Sequence, residues 1–264
     1  MTARGVNQPA MLSVHDLTVD IGQVQVVNDL AMQIQPGDFW AVLGPNGTGK
    51  TTLLKTLAGI HPATRGEIWL QGKPAHALSR RQMAEQLGML TQQTQYAFDA
   101  TCHQTALVGR HPHLKPWMTE QPRDHQLADE ALAALGLGHL AARSCMDLSG
   151  GESRRLAMAA VLVQDPDLLI LDEPTNHLDP ANQVSLLNVV VQHIQTHNKA
   201  AIMALHEVNL ATCYCTHCLM LFGDGEWLAG PTERLLTTQN LSRLYDCSMR
   251  LVDDGEHKVF AVAG

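Results

Sequence analysis

Gly44-Pro45-Asn46-Gly47-Thr48-Gly49-Lys50-Thr51 has the spacing G-x4-G-K-[ST]. Residues of these types suit the holding of a polyphosphate. Glycines let main-chain N–H groups turn toward anionic oxygens, and a helix that starts here aims its positive end at them. Lys50 is placed to reach the β- and γ-phosphates of a nucleotide, and the Thr51 hydroxyl to ligate Mg²⁺. Thr52 completes the cradle.

A second motif is the acidic pair Asp172-Glu173, which closes the apolar run Leu168–Leu171. A carboxylate at the end of a buried parallel strand lies beside the phosphate loop. There Asp172 is placed to hold Mg²⁺, and Glu173 to take a proton from an attacking water. Leu148-Ser149-Gly150-Gly151-Glu152 is a third motif. Ser149 and Glu152 form a capping box, so the Gly-Gly pair opens a helix with bare N–H groups, a start suited to binding an anion.

These motifs need elements to hold them. Alternation predicts strands at Leu12–Ile21 and Leu30–Pro36, with a turn at Pro36-Gly37-Asp38. Phe39–Leu43 is a short apolar strand leading into the loop, and Thr51–Ala58 is a helix stopped by Gly59 and Pro62. Strands follow at Glu67–Leu70 and Gly88–Thr91, with a helix from Ser79 to about Leu87 between them. Residues 93–160 read as a helical insert, including Asp124–Leu135. The core resumes at Leu168–Leu171, whose unbroken apolar character fits a strand covered on both faces. Asp179 caps the next helix, Pro180 sits in its first turn, and Val184, Leu187, Val191 and Ile194 are its expected apolar face. Ala200–Leu205 and Cys218–Phe222 are further strands, and the tail predicts two short helices and a hairpin turning at Asp254-Gly255.

With Leu148–Glu152 beside the two nucleotide motifs, the chain resembles the ATP-binding cassette (ABC) ATPases over about residues 12–250. The resemblance implies a P-loop α/β fold: a parallel sheet, an antiparallel β portion near the N-terminus and a helical subdomain near 93–160. The chain would be one cassette domain, with a core near 11–92 and 161–230 and an extension from 231. It implies ATP and Mg²⁺ as ligands. Ser149, Gly150 and Gly151 would contact the γ-phosphate held by a second copy, in a head-to-tail dimer that encloses two ATPs. Gln92 matches the glutamine that senses Mg²⁺ and links to the membrane subunit, although Gln93 and Gln95 compete for that alignment. Thr175-Asn-His-Leu-Asp179 matches the D-loop, with Asp179 among the residues expected to bind nucleotide, and His206 matches the histidine that contacts the γ-phosphate. The family's adenine-stacking aromatic falls at Ile21 here, so base selectivity is expected to be loose.

Details such as Leu107-Val-Gly-Arg-His-Pro-His113 and Leu241-Ser-Arg-Leu-Tyr245 resemble importers of ferric siderophores, haem or cobalamin. The partners implied are separate transmembrane permease subunits and a substrate-binding protein, with the chain peripheral on the cytoplasmic face of the membrane. The alternatives are a soluble ABC ATPase of repair or translation, an exporter ATPase, and a non-hydrolytic regulator that senses metal.

Composition agrees with this frame. In 264 residues, 45% are apolar and only 4% aromatic, so the core must be aliphatic. A net charge of −8 argues against a nucleic-acid partner held by bulk positive charge. No apolar run reaches the roughly 18 residues of a membrane helix, and the first dozen residues do not read as a secretion signal. The six cysteines are expected to be reduced thiols. Cys213, Cys215 and Cys218 with His217 imitate a metal site, but the expected reading is packing; His111-Pro112-His113 is expected to be a loop.

Overall fold

Phe39–Leu43 (β3), Leu168–Asp172 (β7) and Ala200–Ala204 (β8) are buried at every position. A strand apolar on both faces needs cover on both, and a parallel sheet between layers supplies it. In the computed structural model, which describes residues 9–92, 96, 98–115, 117–253 and 258–263, these strands form the centre of a six-stranded sheet. The other described strands, numbered in chain order, are β1 (Leu12–Ile21), β2 (Val24–Ile34), β4 (Arg65–Leu70), β5 (Lys73–Pro74), β6 (Leu87–Leu90), β9 (His217–Gly223), β10 (Glu226–Pro231), β11 (Met249–Asp253) and β12 (Lys258–Val262). The sheet order is β10-β9-β3-β8-β7-β6, parallel except for the antiparallel edge strand β10. A separate antiparallel sheet, β2-β1-β4-β5, lies toward the N-terminus.

The helix α1 (Lys50–Leu57) packs between the two sheets, with Leu53, Leu54 and Leu57 fully buried. On the other face of the large sheet lie α5 (Gly150–Gln164), α6 (Pro180–His197) and α7 (Val208–Tyr214), while α3 (Cys102–Leu107) and α4 (Pro122–Ala134) pack on α5 and on each other; α2 (Arg80–Gln86) leads into β6. The tail folds as α8 (Thr232–Leu235), α9 (Thr238–Tyr245) and the hairpin β11–β12. The expected turn at Asp254-Gly255, the leading residues 1–8, Gln93 and Gln95 lie outside the described residues.

Several expectations need correction. The buried face of α6 is Leu186, Leu187, Val190 and Ile194; Val191 is half-buried and Val184 exposed. Two overlapping apolar stripes fit the helical period, and the one carrying the larger Leu186 removes more apolar area from water. Strand β2 starts at Val24, well before Leu30. Asn28-Asp29 looks like a break, and Asp29 does have φ +50, but it sits at an irregularity in the β1–β2 pairing that the strand passes through. β10 was not expected. Its signal is Asp224-Gly225, both at positive φ, which reverses the chain so that Trp227 pairs with Leu221. Residues 108–113 form a 3₁₀ turn rather than a loop, in which His113 Nε2 lies 2.7 Å from the Gln164 carbonyl oxygen.

Candidate active site

Parallel register explains why motifs scattered from residue 44 to residue 206 meet. Val42 pairs with Ala204, Ala204 with Asp172, and Leu171 with Leu90. Gly44, His206, Glu173 and Gln92 each follow their strand's paired position by one or two residues. They therefore emerge together at the carboxyl edge of the sheet, where open α/β sheets place ligands. A cavity of about 530 Å³ opens there, lined by Asn46, Gly47, Gly49, Lys50, Thr51 and Thr52 on the loop side and by Gln92, Glu173, Asn176 and His206 opposite. Ile21, at the end of β1, completes the rim and is 42% exposed. A larger groove of about 690 Å³, between α2 and β4, contains none of the motif residues.

The loop follows from its glycines. Gly47 (φ +84) and Gly49 (φ +90) occupy left-handed conformations, and Gly49 is the N-cap of α1. A Cβ on Gly49 would lie 2.5 Å from Val26 Cγ2. The Lys50 ammonium donates to the carbonyls of Gly44 (2.7 Å) and Pro45 (3.0 Å). Burial lowers its pKa, while the charges of Glu173 and Asp172 oppose that shift. Pro45 and Thr48 shape the turn, the Thr48 hydroxyl donating to the Pro45 carbonyl at 2.9 Å.

Asp172 is fully buried, and its Oδ1 accepts a hydrogen bond from the Thr51 hydroxyl at 3.1 Å. Its Oδ2 is buried with no hydrogen-bond partner among the described residues. Burial pushes its pKa up, the Thr51 bond only partly offsetting that. An unpartnered carboxylate oxygen beside a hydroxyl is a donor set that fits a hard divalent cation such as Mg²⁺.

Glu173, next in the chain, has φ +52 and is held at both oxygens. Oε2 accepts from Gln92 Nε2 at 2.9 Å and from Asn176 Nδ2; Oε1 lies 2.6 Å from His206 Nε2. Asn176 was missed as a candidate, although the quoted segment Thr175–Asp179 contains it; its side chain reaches back three residues. Arg154 was missed as well. It sits in the second turn of α5, 5% exposed, with its guanidinium on the main chain behind Gln92 and Glu173.

Ser149, Gly150, Gly151 and Asp179 do not line this cavity. Ser149 caps α5 through the Glu152 amide, with the reciprocal bond from Ser149 N to Glu152 completing the capping box. Ser149 and Gly150 are exposed. Asp179 caps α6 by accepting from the Asn182 amide at 2.9 Å.

Residues 27–176 match the family described as ABC transporter. This chain belongs to that family. Among its relatives is the ferric enterobactin transport ATP-binding protein FepC of Escherichia coli (strain K12), 32% identical over 246 residues, covering 93% of this chain and 90% of FepC. Another is the hemin import ATP-binding protein HmuV of Pseudomonas putida, 38% identical over 240 residues, 89% of this chain and 92% of HmuV. In three dimensions this ABC cassette superposes on a metal-chelate type ABC transporter in an inward-facing conformation, with TM-score 0.84 and 29% identity, over 97% of this chain and 98% of that one.

The cysteines at the end of α7 and the start of β9 separate. Cys213 is exposed, Cys215 and Cys218 are buried, and burial raises both buried thiols, that of Cys218 to about 12. Among the described residues no group of three His, Cys, Asp or Glu side chains is arranged to hold a metal ion, and no helix is long and apolar enough to cross a membrane.

Proposed function

We propose that the chain is the ATP-hydrolysing subunit of an importer for a metal chelate of the siderophore, haem or cobalamin kind. One observation supports it most: the phosphate loop, the Thr51–Asp172 pair and the three-sided clamp on Glu173 share a single cavity. The triphosphate lies along the loop N–H groups from Gly44 to Thr52, with Lys50 turned to its β- and γ-oxygens. Mg²⁺, held by Thr51 and Asp172, supplies charge neutralisation when bound. Gln92 holds Glu173 and would join Thr51 and Asp172 in holding the metal. Glu173 takes the proton of the attacking water, and His206 steadies its other oxygen and faces the γ-phosphate. Ile21 packs on the base without stacking.

The Ser149-Gly150-Gly151 start of α5, exposed at Ser149 and Gly150, and Asp179 serve the site of a second copy, in a head-to-tail pair that encloses two ATPs. The likeness to FepC and HmuV supports the chelate class, with permease subunits and a substrate-binding protein as the other components and a peripheral place on the cytoplasmic membrane face. The test is phosphate release by the purified chain, alone and with a co-expressed metal-chelate permease. Stimulated hydrolysis that disappears in Lys50→Ala is the expected result. A chain that never hydrolyses ATP, or that binds no permease, would overturn the reading.

A further inference from the structure

Arg154 makes hydrogen bonds out of proportion to its place in the sequence. Its Nη1 donates to the carbonyls of Thr91 and Gln92 (3.2 Å for Gln92), its Nη2 to those of Asp172 and Glu173 (2.8 Å for Glu173), and its Nε to that of Pro174 at 3.4 Å. A guanidinium has five N–H groups in a rigid fork, and here they meet five main-chain acceptors on two separate segments. Those segments carry Gln92 and Glu173, whose side chains touch at 2.9 Å. No carboxylate is hydrogen-bonded to Arg154 among the described residues, so the bonds leave both Glu173 oxygens to Gln92, Asn176 and His206. Burying a guanidinium without an ion-pair partner is costly, and simple helix-to-strand packing would be served by an apolar side chain. The residue is also within two helical turns of Ser149, the exposed N-cap of the same helix.

We propose that Arg154 is a positioning residue for hydrolysis. It cross-links the main chain of 91–92 to that of 172–174, fixes Gln92 and Glu173 against each other, and ties their spacing to the α5 end that faces a second copy. This rests on the reading of the chain as an ATPase. Asp172 and Glu173 add their charges around the guanidinium, while Lys50 has its own carbonyl partners, those of Gly44 and Pro45. Nucleotide affinity should therefore be set elsewhere.

The experiment uses the full chain and the variants Arg154→Lys, Arg154→Gln and Arg155→Lys. Lysine keeps the charge but has a point-like head that cannot span both segments. Arg155 serves as the control: it is the neighbour on the same helix, donates to the Leu135 carbonyl at 3.0 Å, and lies outside the site. With folded fractions checked by thermal melting, Arg154→Lys and Arg154→Gln should lower kcat about 10- to 100-fold while KM for ATP stays within about twofold. Arg155→Lys should keep the parental kcat even if it melts as early. Main-chain amide exchange across 173–178 should rise about tenfold in the Arg154 variants and not in the control. Folded Arg154 variants that turn over at the parental rate would overturn the proposal, as would a kcat loss matched by Arg155→Lys. If the parent itself hydrolyses nothing, the ATPase reading falls, and the exchange measurement still decides whether Arg154 fixes the two segments; unchanged exchange refutes it.

Discussion

Glu173→Gln is the sharpest perturbation of this site, because the structure dictates how the new amide must sit. Glu173 Oε2 accepts from two amide groups, those of Gln92 and Asn176, and Oε1 faces His206 Nε2 at 2.6 Å. A glutamine can leave its oxygen to the two amide donors and turn its NH₂ to the histidine, provided His206 carries its proton on Nδ1. Shape and hydrogen bonding then survive, and only the basic charge is lost. Loss of general-base help costs about 10²–10⁴-fold in rate, or roughly 3–5 kcal/mol of barrier. Lys50, Thr51 and Asp172 are untouched, so ATP should still bind and should lock two chains together. Phosphate release beside light scattering with saturating ATP measures both effects. Hydrolysis at the parental rate would remove Glu173 from its role, and a variant that stays monomeric would refute the shared site.

Asp172→Asn should abolish hydrolysis yet stabilise the free chain at neutral pH by about 1 kcal/mol, or roughly 2–4 °C in melting temperature, because it removes a buried charge with an unpartnered oxygen. The native carboxyl holds its proton to higher pH than the unfolded one, so the parent loses stability as pH rises from the unfolded value toward the raised native one. The gap between variant and parent should therefore shrink on acidification; a gap independent of pH, measured by melting curves, would contradict this. Ile21→Tyr should tighten ATP binding by about 0.5–1.5 kcal/mol through stacking on the base, measured by titration with a fluorescent ATP. Gly49→Ala should abolish nucleotide binding in the same titration, since φ +90 and the 2.5 Å approach to Val26 both oppose a Cβ. Thiol labelling of the folded chain should modify Cys213 well before Cys215 and Cys218, as mass spectrometry of the three peptides would show.

Much of the site was legible because its chemistry demands fixed types at fixed local spacing. Gly44–Thr51, Asp172-Glu173 and the Ser149–Glu152 capping box are each a few residues long and carry their own reason. His206 and Gln92 were reached through family likeness, since a histidine or glutamine after a strand has no chemistry of its own until register brings it to Glu173. Asn176 and Arg154 stayed hidden for a related reason. Arg154 works through main-chain carbonyls, and those leave no trace in side-chain types. In the fold, strands with unbroken apolar runs were placed within a residue or two, while β10 and the first half of β2 were lost to residues that read as turns. The phase of α6 depended on which of two neighbouring stripes the sheet accepts, a choice that only packing makes.

The position of β3 also sets a timetable for synthesis. Its two neighbours in the sheet, β8 and β9, are encoded roughly 160 and 175 residues later, so the strand that leads into the phosphate loop is made early and paired late. At about 5–20 residues per second, a nascent chain carries Phe39–Leu43 without its partners for about 8–35 s. Its five side chains, all destined for the interior, are exposed to other sticky surfaces for that interval. A ribosome stalled before residue 200 would thus display the whole phosphate-loop sequence with no sheet to hold it, and nucleotide could protect the chain from proteolysis only after β8 and β9 had emerged.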